Sequence, residues 1–205
     1  MSVFFRFPHT PHVAWLGQGT PRDDKVLSSE EAHALLSGKV VVEEKLDGSN
    51  LGFSISPDGE VRIQNRGQYL SAPFTGQFEK LGKWFTFHTD GLFDTLGEEL
   101  ILFGEWCAAR HSLDYDNLPD WFLVFDVYDR KYRRFWSTAR RNELAMRLGL
   151  SFVPRLYHGQ TTLEELRQIL QSQPSEYRSG PLEGVVIRRE SVDWLEARAK
   201  LVRPE

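Results

Sequence analysis

The segment Glu43-Glu44-Lys45-Leu46-Asp47-Gly48-Ser49-Asn50 decides how this chain is read. It continues a valine-rich run, so residues 39–47 are expected to form a β-strand that ends in a tight turn at Gly48. Side chains alternate along a strand. Glu43, Lys45 and Asp47 therefore share one face, and Glu44 and Leu46 take the other. A lysine between two carboxylates is most often a surface ion pair. Its other reading is chemical. An amine attacks a phosphorus or carbonyl centre only when neutral, so its ordinary pKa of about 10.4 must be lowered. Carboxylates alone push it the other way. A nucleophilic Lys45 thus requires Asp47 and its neighbours to hold a cation such as Mg²⁺. More acids should then converge on the lysine, with basic groups for a triphosphate.

Residues 51–56 and 60–65 alternate apolar and polar side chains around Pro57-Asp58-Gly59, which predicts a hairpin. Residues 100–106, 121–128, 183–189 and 197–202 read as further strands. Helices are expected from Ser28 to 36, over 74–87, over 138–148 between Ser137 and Gly149, and over 163–171 behind Thr162. Residues 173–181 read as a loop. Strands outnumber helices and do not alternate with them, so the expected class is α+β with antiparallel sheets.

Four further strands carry candidate chemistry. Glu105 ends one, in Phe103-Gly104-Glu105-Trp106, and Glu183 opens another, in Glu183-Gly184-Val185-Val186-Ile187-Arg188. A glycine beside each acid would let a ligand approach the backbone. Arg198 and Lys200 share a strand face by the same alternation. Phe125, in Val124-Phe125-Asp126-Val127-Tyr128, is either core or a platform for a nucleobase.

Composition sets outer bounds. The 205 residues, 40% hydrophobic and 13% aromatic, suit one globular domain. A net charge of −4 argues against a surface that grips phosphate everywhere. The basic residues nevertheless cluster, at Arg130, Lys131, Arg133, Arg134, Arg140 and Arg141, and again at Arg188, Arg189, Arg198, Lys200 and Arg203. Each cluster is either a solvated face or a local phosphate track. The ends show neither a membrane-spanning run nor a signal layout, so a soluble cytoplasmic protein without membrane partners is expected. Cys107 stands alone and reads as a packing residue; His33, His88 and His158 lack metal-ligand spacing.

The order of segments resembles a known superfamily. Lys45-Leu46-Asp47-Gly48-Ser49-Asn50 is similar to the K-x-D-G-x-N signature of the covalent nucleotidyltransferases, the ligases and mRNA capping enzymes. Arg66 in Asn65-Arg66-Gly67, then Phe103-Gly104-Glu105, Val124-Phe125-Asp126, Glu183-Gly184-Val185-Val186-Ile187 and Ala199-Lys200-Leu201-Val202 resemble the later motifs in family order. The stretch from Gly104-Glu105-Trp106 through Arg110-His111-Ser112 to Tyr115-Asp116-Asn117-Leu118-Pro119 resembles compact ATP-dependent RNA ligases.

That resemblance implies a ligase adenylylation domain: an α+β nucleotidyltransferase fold of two antiparallel sheets flanked by helices. One domain over residues 1–205 is expected, with 1–38 an N-terminal extension packed on it and no C-terminal OB or helical domain. The implied activity is ATP-dependent RNA ligation through lysyl-AMP, in RNA repair, joining 3′-hydroxyl to 5′-phosphate ends. The partners implied are RNA or a nicked duplex, with an end-processing kinase or phosphatase. Lys45 would carry AMP, Glu43 would meet the adenine amino group, and Asn50 would bind the nucleotide. Arg66 would touch ribose or phosphate, and Phe125 would stack on adenine. Glu105 would bind ribose or metal-bound water, Asp47 and Glu183 would orient hydrated Mg²⁺ (or Mn²⁺), and Lys200 would contact the α-phosphate. Arg198 departs from the lysine of many relatives, and arginine's fork differs in shape. A DNA ligase core and a non-catalytic nucleic-acid-binding domain are the alternatives.

Overall fold

The computed structural model describes residues 4–21, 25–109 and 112–204. Arg110 and His111, noted in the sequence, lie outside them. In chain order the elements are α1 (Ser29–Leu36), β1 (Val40–Lys45), β2 (Ser49–Ile55), β3 (Val61–Gln64), β4 (Tyr69–Leu70), α2 (Leu81–Leu96), β5 (Leu100–Trp106), β6 (Phe122–Asp129), β7 (Arg134–Phe135), α3 (Thr138–Arg147), β8 (Arg155–Gly159), α4 (Leu163–Ser172), β9 (Gly184–Glu190) and β10 (Leu195–Val202). The strands form two antiparallel sheets, as the α+β reading expected, with orders β4-β3-β2-β5-β6-β7 and β10-β9-β1-β8. The chain divides into two compact units, one for each sheet, and the Lys45 turn straddles the division between Asp47 and Gly48.

The six-stranded unit comprises Met1–Phe7, Gly48–Ser112 and Pro119–Phe152. On one side of its sheet, Trp84 of α2 packs on Phe53 and Phe122, with ring centroids 5.3 Å apart in each pair. On the other side Phe5 and Phe7 join Ile101, Phe103, Phe125, Tyr128 and Phe135 in an aromatic cluster. The aromatic spacing predicted a helix over 74–87. The structure places a short 3-10 turn at Gly76–Phe78 and starts α2 at Leu81. Gly76 has φ +59°, which α-helix does not accommodate. The helix instead runs on through buried Leu92 and Leu96, whose spacing from Trp84 continues its apolar face.

The four-stranded unit comprises Pro8–Asp47, Leu113–Leu118 and Val153–Glu205. Its core gathers Val40, Val42, Val185, Ile187, Ala199 and Leu201 from one sheet face, with Leu35 of α1 and Leu166 and Leu170 of α4. Burying each of the valine, leucine and isoleucine side chains contributes about 1.5–3 kcal/mol. Capping boxes start both helices: Ser28 pairs with Glu31, and Thr162 with Glu165. Ser137 holds the N-cap position of α3 but makes no capping hydrogen bond, contrary to expectation. Residues 11–13 run beside β10, with Val13 N donating to Lys200 O and Lys200 N to Pro11 O, both at 2.8 Å. That pairing covers an edge strand's open backbone groups.

Candidate active site

In an antiparallel pair, residues directly opposite one another point to the same side. Across β1, β9 and β10 the registers are Val41–Arg188–Arg198, Glu43–Val186–Lys200 and Lys45–Gly184–Val202. One sheet face therefore carries Glu43, Lys45, Arg188, Arg198 and Lys200, and the valine core takes the other. The alternation read from the sequence holds for Glu43 and Lys45, while the expected strand over 39–47 stops at Lys45, so alternation does not place Asp47. Glu183 immediately precedes β9 and accepts a hydrogen bond from Lys45 Nζ on Oε1 at 2.5 Å. The two side chains are 25% and 19% exposed, so this is not a solvated surface pair. Burial pushes the Glu183 carboxyl up, and Asp47 adds to that, while Lys45 and Lys200 pull it down. Glu183 therefore feels the charge of three other sequence-predicted residues, Lys45, Asp47 and Lys200.

The local sequence explains the close fit. A Cβ on Gly184 would lie 2.7 Å from Leu201 O and 3.4 Å from Lys45 Cδ. The glycine beside Glu183 makes room for protein, not for a ligand as the sequence suggested. The same correction holds beside Glu105, where a Cβ on Gly104 would lie 2.5 Å from the Phe122 ring. Gly48 is required for space as well, since its Cβ would meet Trp106 O at 2.5 Å.

The six-stranded unit holds the other candidates. Asn50 lies opposite Glu105 on neighbouring strands. Glu105 Oε1 accepts from Gly48 N at 3.0 Å, which ties the turn after Lys45 to this carboxylate. Asn50 Oδ1 is buried without a hydrogen-bond partner. Arg66 is exposed at the tip of the β3–β4 turn, where Asn65 Oδ1 accepts from Gly67 N and Gln68 N. Phe125 is half-buried, edge-on to Phe7 at 5.3 Å. The β5–β6 register passes from Phe103–Asp126 to Gly104–Val124, so Phe125 is the extra residue of a β-bulge. The Phe125 carbonyl accepts from Arg141 Nη1 at 2.7 Å, and Arg141 is fully buried.

Glu43 is 2% exposed. Arg188 Nε lies 4.0 Å from its Oε2 and in turn pairs with Glu190 at 2.7 Å. The basic clusters separate along these lines. Arg141 and Arg188 are buried, and Arg189 donates to Ala34 O at the end of α1. Arg203 donates to Leu170 O at 2.6 Å. Lys131, Arg133 and Arg134 remain exposed. Much of the apparent phosphate track is therefore structural.

Among the described residues no group of three or more His, Cys, Asp or Glu is placed to hold a metal ion directly. Glu183 Oε2 is, however, buried without a hydrogen-bond partner. A carboxylate oxygen in that state beside Asp47 suits a hard cation that keeps its waters. No described helix is long and apolar enough to cross a membrane.

The two antiparallel sheets are the fold that the nucleotidyltransferase resemblance implied. Residues 38–202 match the RNA ligase family model, and the chain belongs to that family. The fold is similar to three solved Naegleria gruberi RNA ligase chains. One variant with ATP and Mn has a TM-score of 0.69 at 18% identity, covering 98% of this chain and 57% of that one. Another with AMP and Mn has 0.66 at 23%, covering 83% and 51%. A third, with PPi, has 0.65 at 20%, covering 95% and 62%. This chain thus spans between half and two thirds of those chains. No curated protein sequence matches it.

Proposed function

We propose that this chain is the nucleotidyl-transferring core of an ATP-dependent RNA ligase. The observation that carries the reading is the Lys45–Glu183 pair at 2.5 Å, under the influence of Asp47 and Lys200, inside a chain of the RNA ligase family. Glu183 Oε1 touches the amine, and burial raises its carboxyl, so it is placed to take the proton that Lys45 must lose. Neutral Lys45 Nζ then attacks the α-phosphorus of ATP; an N–P bond forms, the bridging P–O bond breaks, and pyrophosphate leaves. Lys200 and Arg198, on the same sheet face, supply fixed positive charge for the phosphates. Hydrated Mg²⁺ or Mn²⁺, held by Asp47 and Glu183, would supply further positive charge against the triphosphate. Asn50 and Glu105 are assigned to the ribose, Phe125 to one face of adenine, and Glu43 to its amino group.

Two transfers complete the reaction. An oxygen of a 5′-phosphate attacks the lysyl-AMP phosphorus, the N–P bond breaks, and Lys45 regains a proton. A 3′-hydroxyl then attacks the 5′-phosphorus, losing its proton as AMP departs. The solved relatives' ATP, AMP and PPi are the substrate, transferred group and leaving group of this scheme.

The test is a panel of nicked duplexes that differ only in ribose or deoxyribose on each side of the nick. Sealing is expected with a 5′-phosphate and not with a 5′-hydroxyl, and ribose on the 3′-hydroxyl side should be preferred. Equal or faster sealing of all-DNA nicks moves the assignment to a DNA ligase core. Lysyl-AMP formation without transfer to any 5′-phosphate means that ligation needs a further domain or a partner.

A further inference from the structure

Glu44 stands on the core side of β1, in register with Val185, at 2% exposure. A buried carboxylate is costly unless it is hydrogen-bonded. This one accepts from Ser175 Oγ at 2.5 Å and from Glu176 N at 3.0 Å. Ser175 Oγ in turn accepts from Tyr177 N at 3.2 Å. The Tyr177 carbonyl accepts from Asn117 N at 3.1 Å, and Ser179 Oγ reaches Asp116 Oδ2 at 3.5 Å. The Leu113–Leu118 stretch thus held returns to the strand that began the chain of bonds. Tyr115 OH accepts from Asp47 N at 2.6 Å, and Asp47 Oδ2 accepts from Leu113 N at 3.1 Å. Glu44 and Asp47 flank the nucleophile, so the circuit closes around Lys45.

We propose that the 113–118 loop, pinned to β1 through Glu44 and the 175–179 loop, positions the Lys45–Asp47 turn, with Tyr115 as its positioning residue. The geometry is specific to that task. One bond fixes the Asp47 backbone and the other fixes its carboxylate, and both originate in one six-residue stretch. Two anchors on one short loop limit rotation about the Asp47 backbone and χ1 together. Tyr115 touches neither substrate nor nucleophile in this scheme; it acts through Asp47. The inference rests on Lys45 being the nucleophile.

The experiment measures single-turnover labelling of the protein from α-labelled ATP, over a range of ATP concentrations, beside thermal melting. Tyr115→Phe removes one hydroxyl and keeps the ring. Its maximal labelling rate should fall about tenfold, while half-saturating ATP and melting temperature stay nearly unchanged. Glu44→Gln keeps the volume but replaces one accepting oxygen by a donor, and should give a smaller loss of the same kind. Because both act through one loop, the double variant should lose little more than the worse single variant. Tyr115→Phe labelling at the unmodified rate overturns the proposal. So do losses that multiply in the double variant, and so does a rate loss matched by a large fall in melting temperature. Lys45→Arg separates the two levels. If it abolishes label while Tyr115→Phe labels normally, only the positioning role falls. If Lys45→Arg still labels, the nucleophile assignment falls and takes this proposal with it.

Discussion

Replacing Glu183 by glutamine separates chemistry from stability. The amide keeps the volume and can still accept from Lys45 Nζ, but it cannot take a proton. Two opposing effects act on stability. The variant loses an ion pair at 2.5 Å whose partners are 25% and 19% exposed. Exposed pairs contribute about 0–1 kcal/mol, and breaking fully buried ones costs about 3–5 kcal/mol. A pair this far shielded lies between, at about 1–2 kcal/mol. Against that, glutamine carries no charge to desolvate, and desolvation is the largest influence on this carboxyl. The net change should be within about 1 kcal/mol, or about 2–4 °C in melting temperature for a chain of this size. The rate of Lys45 labelling should instead fall at least about a hundredfold, since the proton acceptor and the cation's oxygen are both gone. That loss corresponds to about 2.7 kcal/mol of barrier. The assay is rapid-quench labelling from α-labelled ATP at saturating Mg²⁺, with melting followed by circular dichroism. Labelling within a few-fold of the unmodified rate would refute the reasoning.

Further outcomes follow from particular contacts. Gly48→Ala places a Cβ 2.5 Å from the Trp106 carbonyl, a backbone atom that cannot swing away, so it should destabilise by about 1–3 kcal/mol; an unchanged melting curve contradicts that. Burial raises Glu44 above its ordinary 4.5, so the native state holds this proton more tightly than the unfolded chain. The group's stabilising contribution is therefore full below the unfolded value and is lost as pH rises through the native one. Melting of Glu44→Gln relative to the unmodified protein should accordingly improve as pH rises above the ordinary carboxylate range, and a constant gap counts against the assignment. Arg66→Ala should weaken nick sealing, with a deficit that narrows as salt rises because one phosphate contact fewer lowers the salt slope, measured on one duplex over a salt series.

The strand alternation around Lys45 was legible because a period of two depends only on local backbone geometry, and β1, β9 and β10 obey it. The α+β class with antiparallel sheets followed from strand count and the lack of βα alternation, and the division into two sheets from the family resemblance. What pattern alone missed is long-range. Strand β8 has an exposed, irregular side-chain pattern and pairs with β1 at the sheet edge, so no apolar rhythm marks it. Arg141 and Arg188 read as surface charge because nothing in the sequence announces the carbonyl or carboxylate that each meets when buried. The role of the glycines at 104 and 184 depends on a neighbouring strand's carbonyl or ring. Glu44 was set aside as pointing away from Lys45, and its partner loop lies more than a hundred residues later. Tyr115 belonged to a stretch noted for its resemblance, but its bond to Asp47 N is a tertiary fact.

The central claim is that Lys45 Nζ forms a covalent bond to AMP. Incubation with ATP and Mg²⁺, digestion and mass spectrometry of the peptide carrying Lys45 tests it directly. The account predicts an added AMP moiety on Lys45, labile to acid as a phosphoramidate, formed by the unmodified protein and absent from Lys45→Arg, whose side chain does not become neutral. An AMP adduct on any other residue, or an undiminished adduct in the Lys45→Arg protein, would contradict it.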